Sequence, residues 1–176
     1  MRLIALLLSS AVALTACVSI ERFPEAWEPI IELGKKDCPQ LIGEYSDLGE
    51  VPSGKYQVSL ASWLFESWDP HNKPDRIAFN LSSDSLTVRT LGGARSEMVS
   101  LDRNRGEFTC ASGVLMIPRS KSINREGIAA AEHGTLEIAR TNNFLVVNSS
   151  GGGAGIALLV PVAFYGNNYA RFRTAH

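Results

Sequence analysis

The sequence predicts an all-β domain, built as an antiparallel meander that closes into a small barrel. From residue 56 onward, apolar and polar residues alternate with period 2 in short runs. Turn-forming residues separate successive runs, and helical periodicity is almost absent. Strands that follow one another through short turns usually become antiparallel neighbours. Such a meander is stable when it closes into a barrel or folds into a two-sheet β-sandwich, which is the alternative architecture.

The first predicted strands lie on either side of clear turn sequences. Residues 58–61 alternate and continue to Trp63 and Phe65, so this run is predicted as a half-buried strand with both aromatic rings in the core. The next alternating strands are residues 76–81, 85–89 and 98–101. A hairpin turn is expected at 82–84, between the first two of these.

The second half of the chain contains six more predicted strands: residues 107–110, 114–117, 136–139, 144–147, 156–165 and 169–173. Residues 118–134 are polar and are predicted to be irregular, with one helical turn at 127–133. The glycine run 151–155 is predicted as a flexible loop, and 166–168 as a turn. Pro161 restricts its strand to a sheet edge or a bulge. The expected barrel is lipocalin-like.

The N-terminus has the three-part layout of an export signal. Arg2 is followed by an uncharged, mostly apolar run over residues 3–13, and small residues precede Cys17. The apolar stretch of about 14 residues is shorter than the roughly 20 that a membrane-spanning helix needs. An ordinary cleaved signal with an incidental cysteine is the alternative, and a cytosolic protein is less compatible with the pattern.

Leu14-Thr15-Ala16-Cys17 resembles the lipobox of bacterial lipoproteins. The resemblance implies that residues 1–16 are removed, that Cys17 carries a diacylglycerol on its sulfur, and that its new amino group is acylated, as with palmitate. Residues 17–36 would then form a lipidated tether, and residues 37–176 a single β domain in the periplasm. In Gram-negative lipoproteins an aspartate after the cysteine retains the protein in the inner membrane, so Val18 favours the outer membrane.

Composition narrows the possible partners. The chain has 176 residues, with 17 Lys and Arg against 18 Asp and Glu, and loss of Arg2 with the signal would leave a net charge of about −2. This balance argues against nucleic acid binding, which requires a basic face, and against a polybasic membrane contact. Association with the membrane is therefore expected to rest on the lipid.

Cys38 and Cys110 are expected to form a disulfide, because export places them in an oxidising compartment. Two buried free thiols or a metal site are the alternatives, although no C-x-x-C spacing and no nearby histidine support a metal. Cys-Pro-x-Leu-x-Gly-x-Tyr at 38–45 and Phe-x-Cys-x-x-Gly-x-Leu at 108–115 also resemble segments of uncharacterised proteobacterial lipoproteins. That resemblance implies that the two cysteines are neighbours in space.

No catalytic residue, cofactor or metal ligand is predicted. The glycine run lacks the Gly-Lys-Ser/Thr of a phosphate-binding loop, and the chain has no Gly-x-Ser-x-Gly nucleophile elbow. His71, His133 and His176 are scattered. Trp68 lies on the opposite face of its strand from Trp63 and is the candidate for stacking on a sugar or an acyl chain.

The predicted role is a non-catalytic envelope component. It would bind a small apolar or envelope-derived ligand in a barrel mouth, or contact another envelope protein through a strand edge. A hydrolase acting on envelope material is the alternative.

Overall fold

The computed structural model describes residues 16–20, 22–31, 38–65, 69–125, 128–157 and 160–175. The predicted signal sequence before Ala16 lies outside these residues, as do Trp68 and His176.

The described residues form twelve strands and one short helix, α1 (Leu60–Leu64). In chain order the strands are β1 (Ala16–Ile20), β2 (Gly43–Ser46), β3 (Leu48–Glu50), β4 (Gln57–Ser59), β5 (Arg76–Leu81), β6 (Ser85–Leu91), β7 (Met98–Asp102), β8 (Thr109–Ala111), β9 (Val114–Arg125), β10 (Ile128–Arg140), β11 (Phe144–Ala157) and β12 (Val160–Ala175).

The hairpin turn predicted at 82–84 is confirmed, and a second hairpin turn joins β10 to β11. The β5–β6 turn is closed by a hydrogen bond from the Ser82 amide to the Ser85 carbonyl (2.9 Å). The β10–β11 turn is closed by an equivalent bond from Thr141 to Phe144 (2.9 Å). Burial also alternates along β5 and β6, as period 2 requires.

One sheet connects all the strands, in the order β7-β6-β5-β2-β12-β11-β10-β9-β8. β3 joins β12 and β4 beside this path, and β1 runs parallel to β12. The other ladders are antiparallel, so the predicted all-β antiparallel class is confirmed.

The closed barrel is not confirmed. β7 and β8 are the two ends of the strand order, and no ladder joins them within the described part of the chain. Closure requires two edges of compatible length and stagger. β7 has five residues and β8 has three, so the two edges that would have to meet differ in length.

The sheet curves around a core to which both of its halves contribute. Inward residues of β5 and β6 form one cluster with those of β9–β12; its fully buried members include Ile77, Leu86, Val88, Leu115, Leu136, Ile138, Leu145, Val147 and Phe172. Phe172 lies so close to β3 that a Cβ on Gly49 would overlap its ring. A strand can therefore pass at this point only without a side chain.

The predicted strand through Trp63 and Phe65 is wrong, because the chain turns into α1 after Ser59. Ser59 caps the helix by accepting a hydrogen bond from the Ser62 amide (3.2 Å). Both aromatic rings still reach the core, as expected. Phe65 is buried, and Trp63 packs edge-on against Phe172 with ring centroids 6.2 Å apart. Nothing in the described part of the chain forms a helix with the length and apolarity needed to cross a bilayer.

Strands β9 to β12 continue beyond the core as an extension that we call the arm. It comprises residues 119–125, 128–134, 151–157 and 160–166, with β1 along one side. Three sequence-based expectations are therefore wrong, since 118–134, 151–155 and 166–168 are almost entirely strand. Cross-strand hydrogen bonding decides the conformation of these segments, despite their weak β propensity.

The segment predicted as a tether packs on the domain in its described part, residues 22–31, which we call the strap. The Phe23 ring packs edge-on against Tyr169 of β12 and against Trp27, with centroids 5.8 Å and 6.1 Å apart. The Arg171 guanidinium lies 5.1 Å from the centre of the Trp27 ring, which is cation–π geometry.

The far end of the strap is held at the β10–β11 turn. Glu28 accepts a hydrogen bond of 2.7 Å from the Asn143 side chain, and this bond holds the pKa of the Glu28 carboxyl below its ordinary value. The Ile31 amide donates to the Arg140 carbonyl at 2.9 Å. The strap therefore follows the domain from the arm to the opposite end of β10 and β11.

Candidate functional site

Cys17, the predicted lipidation site, lies in β1, where it is paired in register with Phe164 of β12. The backbone at this position belongs to the sheet. Lipidation of the sulfur remains a prediction.

The predicted disulfide between Cys38 and Cys110 is confirmed, with a Cα–Cα distance of 5.0 Å. It joins the segment that leads into β2 to strand β8, across a sequence separation of 72 residues. β8 pairs with β9 over residues 109–111 only. The disulfide therefore fastens a strand of only three residues at the end of the strand order.

The open side of the sheet leaves apolar residues incompletely covered. Val99 and Leu101 of β7 are paired with Val88 and Leu86 of β6, which are fully buried, but they are themselves only partly buried. Ile117, beyond the end of β8 on β9, is also partly buried. All three pack on the core, but among the described strands none takes the neighbouring position that a closed barrel would fill.

A groove of about 610 Å³ runs along this open side, and we call it the seam groove. Its lining is mostly apolar: Leu64, Phe65, Val88, Met98, Val99, Leu101, Gly106, Glu107, Ile117, Pro118, Arg119 and Leu136. Met98 is 69 % exposed at its rim. The volume lies within the range of about 300–1,000 Å³ typical of small-molecule sites.

A second, polar cavity of about 490 Å³ adjoins the seam groove, and we call it the serine pocket. Phe65 and Arg119 line both cavities. The other lining residues of the serine pocket are Ser62, Ser120, Ser122, Glu132, Gly134, Ser149 and Ser150. An apolar groove that continues into a hydroxyl-rich pocket has the chemistry of a site for an amphiphile, with a chain at one end and a polar group at the other.

Asp47 is a buried carboxylate near α1, and its contacts identify a structural role. Its Oδ1 accepts hydrogen bonds from the Ala61 amide at 2.8 Å and the Ser59 hydroxyl at 3.1 Å. Burial raises the pKa of Asp47, and these hydrogen bonds partly oppose the shift. The carboxylate supports the first turn of α1, which carries Ser62 and Leu64 to the two cavities.

The remaining polar candidates are dispersed. His71 and His133 are exposed, and neither forms an ion pair with a carboxylate of the described residues. The same part of the chain contains no group of three His, Cys, Asp or Glu side chains that would hold a metal ion. Trp68 lies outside the described residues, but Phe65, three positions earlier, lines both cavities.

Sequence reasoning did not identify the groove residues. Alternation correctly predicted that Val99 and Leu101 share a face, but Arg119 fell in a segment that was expected to be irregular. The only available signal was that β7 and β9 border the open side, and strand order cannot be obtained from alternation alone.

No protein-family model, curated protein sequence or solved structure matches this chain.

Proposed function

We propose that this protein is a lipid-anchored envelope lipoprotein that binds an amphiphilic, acyl-chain-bearing ligand in the seam groove. The anchor is Cys17 in its lipobox-like sequence, and Val18 favours the outer membrane, with the domain facing the periplasm. The domain acts as an incompletely closed barrel whose open side is the ligand entrance. The role is binding and requires no catalytic residue.

The observation that supports this proposal most directly is the incomplete cover of Val99, Leu101 and Ile117. Burying one methylene group contributes about 0.8 kcal/mol of free energy. An acyl chain that lies along these residues would therefore gain affinity by covering apolar surface that the fold leaves exposed to water. The polar end of the ligand would lie toward the serine pocket, near Arg119.

The test is binding of a dansyl-labelled fatty acid to the purified protein, followed by fluorescence. Met98→Glu places a carboxylate at the rim of the seam groove, at a position whose high exposure makes the substitution compatible with folding. We expect the fatty acid to bind about tenfold more weakly, because its acyl chain would have to lie against the introduced carboxylate.

Leu48→Glu is the matched control, since it adds the same charge at another exposed apolar residue (56 % exposed) that does not line the groove. It should bind the probe as the unchanged protein does. Equal affinity of all three proteins, or no binding by any of them, would overturn the proposed ligand site.

A second candidate function, contact with another envelope protein, is favoured by the edge of β9. β8 pairs with β9 only at residues 114–116, so among the described strands residues 117–125 pair with β10 alone. A free strand edge can accept an added strand from a partner. Pro118 removes one donor from this edge, which restricts any added strand to the part beyond it.

A photo-crosslinking residue at the exposed Ser122 tests this second function in intact cells. A crosslinked product of defined mass that is absent with the crosslinker at Asn142, in the β10–β11 turn, would support it. Identical patterns at both positions would count against a partner at the β9 edge.

A further inference from the structure

The arm ends where the ladders of the long strands end. The last register pairs there are Arg125 with Ile128 and Ala157 with Val160. The arm portion of β10, residues 128–134, extends about 20 Å at roughly 3.3 Å per residue. Among the arm residues whose burial the structure describes, none belongs to the fully buried core, so this part of the sheet projects away from it.

The β11–β12 hairpin is unusually apolar in this region. Residues 151–166 contain no charged residue, and residues 156–164 are apolar throughout. Ile156 and Tyr165 lie in the arm as large apolar side chains that are 52 % and 48 % exposed. The connection between β9 and β10 is instead flanked by Arg125 and contains Glu126. The two hairpins therefore differ in polarity at the same end of the molecule.

β1 brings the proposed lipidation site to this same end. Its register pairs Cys17 with Phe164, four residues from the start of β12, so that start lies about 13 Å beyond Cys17 along the strand. If the acyl chains of Cys17 are in a leaflet, the apolar hairpin end must lie in or against that leaflet. Tyr165 is paired with Val18, one residue from the level of Cys17, and tyrosine is favoured at a membrane interface.

The fold also fixes the direction of the domain relative to Cys17. β1 is hydrogen-bonded to β12, the strap packs on Tyr169 and Arg171, and the strap ends at the β10–β11 turn. A flexible tether would let the domain rotate freely above the membrane. A lipidated residue held in the sheet leaves one end of the molecule directed at the bilayer.

We propose that the protein docks on the membrane through the end of the arm, with the β11–β12 hairpin at the boundary between headgroups and acyl chains beside Cys17. This proposal rests on the proposed lipid anchor. β11 is paired with β10 and β12 along the arm, and β12 is paired with β1 at 163–167, so most backbone groups of the hairpin enter the interface already hydrogen-bonded. Peripheral apolar elements typically enter this boundary by about 5–10 Å.

The experiment uses the full lipidated protein in vesicles of phosphatidylethanolamine and phosphatidylglycerol. A single cysteine at Ile156, Tyr165 or Asn142 carries an NBD fluorophore, and lipids with nitroxide-labelled acyl chains quench it. Cys38 and Cys110 are joined in a disulfide and do not compete for the label. Ile156→Cys and Tyr165→Cys both replace exposed side chains and should therefore fold. If one of the two variants fails to fold, the other still measures the membrane contact of the arm.

We expect quenching at position 156 to be several times that at position 142, with position 165 between them. Equal, weak quenching at all three positions would overturn arm docking. Mass spectrometry of the N-terminal peptide in the same sample tests the anchor separately. Acylated Cys17 without quenching at 156 and 165 would leave the anchor standing and refute the docking. A mature chain whose Cys17 carries no acyl chains would refute the anchor and, with it, this mode of docking.

Discussion

Asp47 illustrates how one buried side chain determines a local structure that the sequence pattern does not predict. One of its two carboxylate oxygens, Oδ1, accepts hydrogen bonds from both the Ala61 amide and the Ser59 hydroxyl. These bonds stabilise a helical turn where alternation predicted a strand, and Ser59 completes the cap. The tertiary contact therefore overrides the local pattern.

Replacement of Asp47 should separate its hydrogen bonds from its charge. In Asp47→Asn the side-chain amide oxygen can still accept both hydrogen bonds. Asp47→Ala leaves the buried Ala61 amide without its acceptor, so the unfolding free energy of this variant should be lower by about 1–3 kcal/mol. Burial raises the pKa of Asp47 above its ordinary value of 3.8, so the folded state binds the proton more tightly than the unfolded state. The contribution of this group is therefore greatest below the ordinary pKa and falls as pH rises through the raised value.

Urea denaturation at about pH 3 and about pH 7 provides the measurement. The stability of the unchanged protein relative to Asp47→Asn should decrease as pH rises between these values. A difference that does not change, or that changes in the opposite direction, would contradict the assignment of a desolvated carboxylate.

Gly153 is one of the arm glycines at which a side chain would not fit. A Cβ at this position would lie 2.6 Å from the Phe164 ring and 2.6 Å from the Ala131 carbonyl oxygen. Gly153→Ala should destabilise the arm by about 1–3 kcal/mol, as overpacking does. Hydrogen exchange of β11 and β12 measured by mass spectrometry should accelerate in the arm, while the core segments remain protected.

Ala154→Ser is the control for this change, because Ala154 is the adjacent exposed residue of the same strand. It is expected to alter stability by less than about 0.5 kcal/mol. If amide hydrogens of the arm exchange at the same rate in Gly153→Ala and Ala154→Ser, the close approach of Gly153 to Phe164 does not determine the stability of the arm.

At the scale of elements, the disulfide compensates for the small size of β8. This three-residue strand ends the sheet, and Cys110 at its centre is linked to Cys38 before β2. Replacing both cysteines by serine should lower the unfolding free energy by about 4 kcal/mol in the chain-entropy model. Chemical denaturation of the double variant and the unchanged protein gives the comparison, and a loss below about 1 kcal/mol would show that the crosslink constrains little.

The same scale explains the open side of the sheet. β7 has five residues and β8 three, and neither edge offers a matching partner to the other. Side chains of the α1 region and Phe108 belong to the buried core, although the strand order does not close and leaves Val99, Leu101 and Ile117 partly exposed. The seam groove is the surface consequence of that mismatch.

For the whole molecule, the most informative test is whether the protein is attached to the membrane through Cys17. Cys17→Ser should accumulate as an unprocessed, unlipidated chain that is missing from the membrane fraction, because the proposed anchor consists of acyl chains attached at this one residue. Fractionation followed by mass spectrometry of the N-terminal peptide provides the measurement. Ser19→Ala, two residues later in the same strand, should remain membrane-bound. Normal membrane partitioning of Cys17→Ser would remove the basis of the proposed anchor.

The amino-acid sequence by itself determined the features that depend on nearby residues or on simple counting. Period-2 alternation and turn residues identified β5, β6 and their hairpin, and Cys38 and Cys110 were correctly predicted to form a disulfide. Tertiary structure alone decided α1, the arm and the seam groove. Glycine and polar residues of 118–134 and 151–155 have little strand preference of their own, and they become strand because neighbouring strands supply their hydrogen bonds. Whether a sheet closes depends on the lengths of edges that are far apart in sequence, which no local pattern encodes.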